Sequence, residues 1–236
     1  MKKFDIHCHV LPGVDDGAAD MEVTKQMLSA LYEQGVRTVI ATPHYSLHSH
    51  DGKIERVQKA YKKTKEYADE NMPDMKILLG SEIYMEQGML ERIKTETTIA
   101  LNGTRYVLCE FRFGGSYKDM YDMIQQLVRA RYKPVIAHVE RYTCLREQWD
   151  RISELRKMGV LMQLNAESLS GNVFDKKYRY GKQLVKEGVI DFIGSDAHDM
   201  DRRAPLMDKA ERTLIKLLGN EEAEKLLFGN AQIFET

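Results

Sequence analysis

What most constrains this chain is a rhythm that runs from one end to the other: a short apolar, β-branched run, then an amphipathic stretch of about a dozen or more residues. That alternation specifies parallel strands joined by crossover helices, because a parallel neighbour can be reached only across the face of the sheet. The spacing predicts seven strands, at residues 4–6, 36–41, 76–80, 106–109, 134–137, 160–164 and 191–194. Helices are predicted at 19–34, 54–70, 120–131, 151–158, 176–187, 205–218 and 221–228, and Gly35, Gly159 and Gly188 stand where a left-handed C-cap would end three of them. No stretch is rich enough in Pro, Gly and Ser to be a linker, so residues 1–236 are expected to form a single domain.

An open doubly wound sheet and a closed barrel both accommodate this pattern, and the polar residues decide between them. A doubly wound sheet concentrates its ligand at one switch point, whereas a barrel draws its site from the carboxyl ends of many strands. There is no G-x-G-x-x-G and no P-loop. Instead the first strand ends in His7-Cys8-His9, followed by Asp15-Asp16, and the second ends before His44. The third precedes Glu82, the fourth Glu110, the fifth His138, and the seventh runs into Asp196-Ala197-His198. Six of seven predicted strands finish in a metal-ligating residue type; the sixth, ending at Leu164-Asn165-Ala166, is expected to supply only pocket wall.

A lone histidine at a strand end is ordinarily a hydrogen-bonded loop residue, and Asp16 could simply cap the helix that follows it. Five of the seven histidines nevertheless fall at these ends, leaving His48 and His50 in a polar loop. Carboxylates directly after apolar runs are costly to bury without a cation. Nine candidate ligands exceed what one tetrahedral zinc needs and suit two or three ions sharing carboxylates; N and O donors admit Mn²⁺, Zn²⁺ or Fe. Such ions acidify water and clamp the oxygens of a displacement at phosphorus. Arg141, three residues after His138, and Arg203, five after His198, could grip a phosphate with forked guanidinium groups, the alternative for each being a surface salt bridge.

Composition excludes several classes. Thirty-five Lys and Arg balance 36 Asp and Glu, so no field concentrates nucleic acid. No segment carries the ~20 apolar residues of a bilayer span, and the start, MKKFDIHCHV, lacks an apolar signal region, so no membrane insertion and a cytoplasmic location are expected. None of Cys8, Cys109 and Cys144 is followed by the C-x5-R loop of a cysteine phosphatase; they are read as free thiols.

The motifs DIHCHVLPGVDDGA, ATPH, GSEIY, CEF, IAHVERY, LNAESLSG and GSDAH resemble, in order and spacing, the polymerase-and-histidinol-phosphatase (PHP) superfamily, and within it the bacterial manganese-dependent protein-tyrosine phosphatases of capsule and exopolysaccharide synthesis. The resemblance covers nearly the whole chain. It implies a distorted (β/α)7 barrel with three divalent ions, Mn²⁺ first among them, at the C-terminal ends of the strands. By the same resemblance one ion takes His7, His9, Glu82 and Asp196, a second Glu82, Glu110 and His138, and a third Asp16, His44 and His198. Arg141 and Arg203 would hold the phosphate, a hydroxide between the ions would attack phosphorus, and Asp16 or a metal-bound water near His198 would deliver the leaving-group proton. The implied substrate is the phosphorylated tyrosine-rich tail of a bacterial tyrosine kinase. The segment 111–121, FRFGGSYKDMY, is expected to border the pocket. Other readings are a small-molecule phosphomonoesterase such as histidinol-phosphate phosphatase and, from a different class, a non-catalytic metal-binding docking module.

Overall fold

The computed structural model describes residues 1–49, 52–96, 99–172 and 174–235. Strand β1 (Lys3–Cys8) pairs with β2 (Val36–Ala41), which pairs with β4 (Lys76–Leu79). A second set runs in the order β3 (His44–Tyr45), β5 (Glu82–Tyr84), β6 (Tyr106–Glu110), β7 (Lys133–Ile136), β8 (Leu161–Asn165) and β9 (Phe192–Gly194). Every pairing is parallel. A bridge from Cys8 to Ala197 ties β1 to the chain leaving β9, so the sheet curls back toward its own first strand.

The strand count differs from expectation in an instructive way. Two of the seven expected strands, found as β2 and β4, are each followed after a break by a short strand that was not expected, β3 and β5. The first break falls at Thr42-Pro43, where proline removes a ladder donor. The second falls at Gly80-Ser81, where a Cβ on Gly80 would lie 2.8 Å from Leu101 Cδ2. The Gly80 N–H donates to Ala41 O and that of Glu82 to Pro43 O; beyond the breaks β3 pairs with β5, and β5 gains β6 as its other neighbour. Parallel register then sets His44 directly beside Glu82.

Around the sheet pack α1 (Met21–Glu33), α2 (Lys53–Asn71), α3 (Met89–Thr95), α4 (Tyr117–Arg129), α5 (Trp149–Lys157), α6 (Lys176–Lys186) and α7 (Met207–Leu218). The expected helix at 221–228 divides into α8 (Asn220–Glu224) and a wider π turn, and α3 was not predicted. Helix α1 shows how these elements form. Thr24, Met27, Leu28 and Leu31 make its buried stripe, and Asp20 caps its start by accepting from the Glu22 and Val23 N–H groups. Asp16 is thereby released from the capping role. Gly35, Gly159 and Gly188 all adopt positive φ after their helices.

Two apolar layers hold the sheet. The smaller gathers Phe4, Ile6, Ile40, Leu108, Val135 and Phe192 from five strands around Phe234, whose ring meets those of Phe4, Tyr106 and Phe192. The larger lies between the sheet and its helices. With one end of the curled sheet plugged by Phe234, the carboxyl ends of the strands remain for chemistry. Among the described residues, no helix is long and apolar enough to cross a membrane.

Candidate metal centre and phosphate site

Three histidines are held in a defined tautomer by groups that can act in only one sense. The His138 backbone N–H donates to Gln163 Oε1 at 2.7 Å, so the amide oxygen faces it. His7 Nδ1, 3.1 Å from that same oxygen, must therefore carry its proton. His9 Nδ1 donates to the Asp15 carboxylate at 2.8 Å, and His198 Nδ1 to the backbone oxygen of Asp196 at 3.0 Å. All three Nε2 lone pairs are left for the site. His7 and His9 Nε2 lie 3.2 Å apart, each 3.3 Å from Glu82 Oε2 and within 3.6 Å of Asp196 Oδ1.

Glu82 is the hub. Its Oε1 meets His138 Nε2 at 2.7 Å, while Oε2, buried and without a hydrogen bond among the described residues, lies 3.0 Å from His44 Nδ1. Glu110 closes one side, 3.8 Å from His44 and 3.7 Å from His138. Asp16 Oδ1 closes the other, 3.3 Å from His44 Nε2 and 3.6 Å from His198 Nε2, itself a buried atom with no hydrogen bond among the described residues. The ligand-type atoms fall into three overlapping groups: His7, His9, Glu82 and Asp196; His44, Glu82 and Glu110; His9, Asp16, His44 and His198. All nine residues expected from the strand ends are thus brought together. His48 is exposed and stands 3.6 Å from Glu86, away from the cluster, and His50 lies outside the described residues.

These donors fit cations. Two imidazole lone pairs facing each other across 3.2 Å repel unless positive charge lies between them, and an unbonded buried carboxylate oxygen asks for the same. With protons as the only counter-charge, burial works to lower the His9 pKa, but the Asp15 and Glu82 carboxylates push it up to about 10. Burial and the neighbouring His9 charge lower His198 to about 3. Burial tends to raise the Glu82 carboxyl, yet His7, His138 and His44 hold it well below the usual range.

Strain marks the same residues. His138 and Asp196 adopt φ of 33° and 51°, a left-handed region costing non-glycine residues on the order of 1–3 kcal/mol each. Gly194, by contrast, is glycine for space: a Cβ there would meet His7 Cβ at 2.7 Å and Gln163 Nε2 at 2.9 Å.

Both arginines converge on Asp196. Arg141 Nη2 lies 3.1 Å from one carboxylate oxygen and Arg203 Nη2 2.7 Å from the other, while Arg203 Nη1 is 3.9 Å from Asp16. Neither is a remote surface pair; the two guanidinium groups reach one anion at the rim of the cluster. Phe113, from the segment 111–121, packs edge-on to His138 and lies under Arg141 at 5.7 Å, which puts that segment at the pocket as expected.

The sixth predicted strand does more than form wall. From β8, Gln163 donates to Asn165 Oδ1 at 2.9 Å, and Asn165 donates to Asp196 Oδ2 at 2.7 Å, so one hydrogen-bonded chain joins His7, His138 and Asp196. Asp15, passed over in favour of its neighbour, orients His9 and accepts from the His44 backbone N–H at 2.9 Å. Alternation offers a signal for the β8 pair, since Gln163 and Asn165 are polar residues two apart in an apolar strand.

Comparison with known proteins places the chain among phosphatases. It is 31% identical to the tyrosine-protein phosphatase CpsB of Streptococcus agalactiae, over 97% of this chain and 96% of that protein. It is 33% identical to the tyrosine-protein phosphatase YwqE of Bacillus subtilis, over 98% and 93%. A crystal structure from work on YwqE of B. subtilis and CpsB of Streptococcus pneumoniae, described as metal-dependent tyrosine phosphatases, matches with a TM-score of 0.88 and 31% identity, covering 98% of this chain and 94% of that one. Histidinol phosphate phosphatase of Lactococcus lactis, at 15% identity and a TM-score of 0.59, shares the fold over 93% of this chain and 95% of that one. The family model described as capsular polysaccharide synthesis, CpsB/CapC, matches residues 3–234, and the chain belongs to that family.

Proposed function

We propose that this single-domain chain is a metal-dependent protein-tyrosine phosphatase acting in capsule or exopolysaccharide synthesis. The observation that carries the reading is the convergence of Arg141 and Arg203 on Asp196 at the edge of a histidine–carboxylate cluster whose lone pairs and unbonded Glu82 oxygen call for cations. His7, His9, Asp16, His44, Glu82, Glu110, His138, Asp196 and His198 would hold three divalent ions, with Glu82 shared. The N and O donor set, free of thiolate, admits Mn²⁺, Zn²⁺ or Fe, and the family resemblance puts Mn²⁺ first among them. Bound there, the ions acidify water and neutralise charge on phosphate oxygens.

The chain's own residues supply the rest. The two guanidinium groups reach one anion and would exchange part of their hold on Asp196 for phosphate oxygens, fixing phosphorus against the cluster. Gln163 and Asp15 keep the imidazole lone pairs aimed inward. Asp16, 65% exposed at the mouth, would relay a proton from solvent to the departing tyrosine oxygen, the alternative source being a water beside His198. The substrate we assign is the phosphorylated tyrosine-rich tail of a bacterial tyrosine kinase, met in the cytoplasm.

Full-length similarity to named tyrosine phosphatases supports this reading over histidinol-phosphate hydrolysis, for which the likeness is of fold alone. Phosphate release from a phosphotyrosine peptide and from histidinol phosphate, by the same Mn²⁺-loaded sample, tests it. A clear preference for the peptide is expected; preference for histidinol phosphate would reverse the assignment.

A further inference from the structure

Beside Arg141 the site opens into a cleft of about 780 Å³. Phe113 and Arg141 form its inner edge, and its far wall is built by Arg146 and the first turns of α6, including Lys176, Lys177 and Tyr180. Five cationic side chains line it against three carboxylates, Glu140, Glu147 and Asp175. Two of those carboxylates are already engaged. Glu140 is buried and accepts from the Ser168 hydroxyl and the Asn165 N–H, and Asp175 caps α6 by accepting from the Lys177 N–H. Lys177 is paired with Glu167. Arg146 and Lys176 are different: both are exposed, and neither makes an ion pair among the described residues. The Arg146 guanidinium lies 5.9 Å from the Tyr180 ring, which supports it along the wall. The result is a positively biased recess continuous with the phosphate-gripping arginine.

We propose that this cleft is a second anionic subsite, taking an acidic group of the same peptide, a carboxylate or a second phosphate, a few residues from the reacting phosphotyrosine. The inference rests on the phosphatase reading above and extends it to substrate choice. An aryl phosphate with no further anionic group would occupy only the metal-side end; a peptide with an anion beside its phosphotyrosine would span both. Because Arg146 and Lys176 are solvent-exposed, their attraction is screened by salt, so the preference should weaken as ionic strength rises.

The test is fluorescence anisotropy with non-hydrolysable phosphonate peptides, read on the wild type and on the double variant Arg146→Glu with Lys176→Glu. One peptide has neutral flanks, one glutamate flanks and one a second phosphonotyrosine. The wild type should bind at least one anionic peptide about tenfold tighter than the neutral one, the better of the two identifying the group recognised. The double variant should lose that advantage while binding the neutral peptide, and hydrolysing p-nitrophenyl phosphate, within about twofold of wild type. No preference in the wild type, or an equal loss for all three peptides, overturns the proposal. Failure of the wild type to hydrolyse a phosphotyrosine peptide with neutral flanks would instead sink the phosphatase reading, and the affinity ratios would still judge the cleft.

Discussion

Replacing Gln163 by leucine tests whether hydrogen bonding from β8 organises the metal centre. The side chain is fully buried and makes three bonds: it accepts from the His138 backbone N–H and from His7 Nδ1, and it donates to Asn165 Oδ1. Leucine is close in volume but offers none of them. The His138 N–H and the Asn165 oxygen would be stranded in the interior, each at roughly 1–3 kcal/mol. Part is recovered by the apolar side chain, leaving an expected loss of about 2–4 kcal/mol in urea unfolding of the chelator-treated protein. His7 would be free to flip or change tautomer, and Asp196 would lose the fixed orientation of its Asn165 donor. Removing such outer partners costs roughly 10–100-fold in metal affinity, about 1.4–2.8 kcal/mol, readable by calorimetric titration with Mn²⁺. A folded Gln163→Leu protein with wild-type stability and wild-type Mn²⁺ affinity would refute the reasoning.

Other consequences are independent of that network. Arg141→Lys keeps the charge but loses the fork, so kcat/KM on a phosphotyrosine peptide should fall by about 10–100-fold with metal content unchanged; loss of metal would mean that Arg141 serves the cluster instead. Gly194→Ala should cost about 1–3 kcal/mol in thermal or urea unfolding, since the new methyl meets His7 and Gln163 side chains below 3 Å; a neutral effect would show that the packing yields. Far from the site, Lys3 is buried against Glu211 at 2.8 Å. Burial tends to raise the Glu211 carboxyl, but the hydrogen bond and charge of Lys3 lower it below its ordinary 4.5. A depressed folded-state pKa means stability present above the unfolded value and lost as pH falls through the folded one. The stability gap between wild type and Glu211→Gln should therefore be roughly 1–2 kcal/mol at neutral pH and shrink below about pH 4.5; a gap that widens in acid would contradict the pairing.

Much of this architecture was legible because strand and helix periods are properties of short windows. The strand ends at His9, Glu110, His138 and Asp196 stood out since an apolar run must stop where a charged group begins. What was missed depends on contacts between distant segments. The breaks at Pro43 and Gly80 fall where β1 no longer borders the sheet and β5 takes β6 as a neighbour that β4 lacks, and Gly80 is shaped by Leu101 from another turn. Asp15 and Asp16 are equivalent as residue types; only the fold turns one toward His9 Nδ1 and the other toward His44 and His198. Gln163 and Asn165 lacked the residue type expected of a ligand, and their role is to orient ligands rather than to be them. The ring of His9 also joins two of the three groups, a sharing invisible in any single motif.

The most direct test of the metal-dependent phosphatase couples elemental analysis to phosphate release from a phosphotyrosine peptide in one sample. Three divalent ions per chain are predicted, with hydrolysis abolished by chelation, restored by Mn²⁺ and absent in His138→Ala. Turnover that persists after the ions are stripped, or a folded protein that retains none and cannot be activated by adding them, would contradict it.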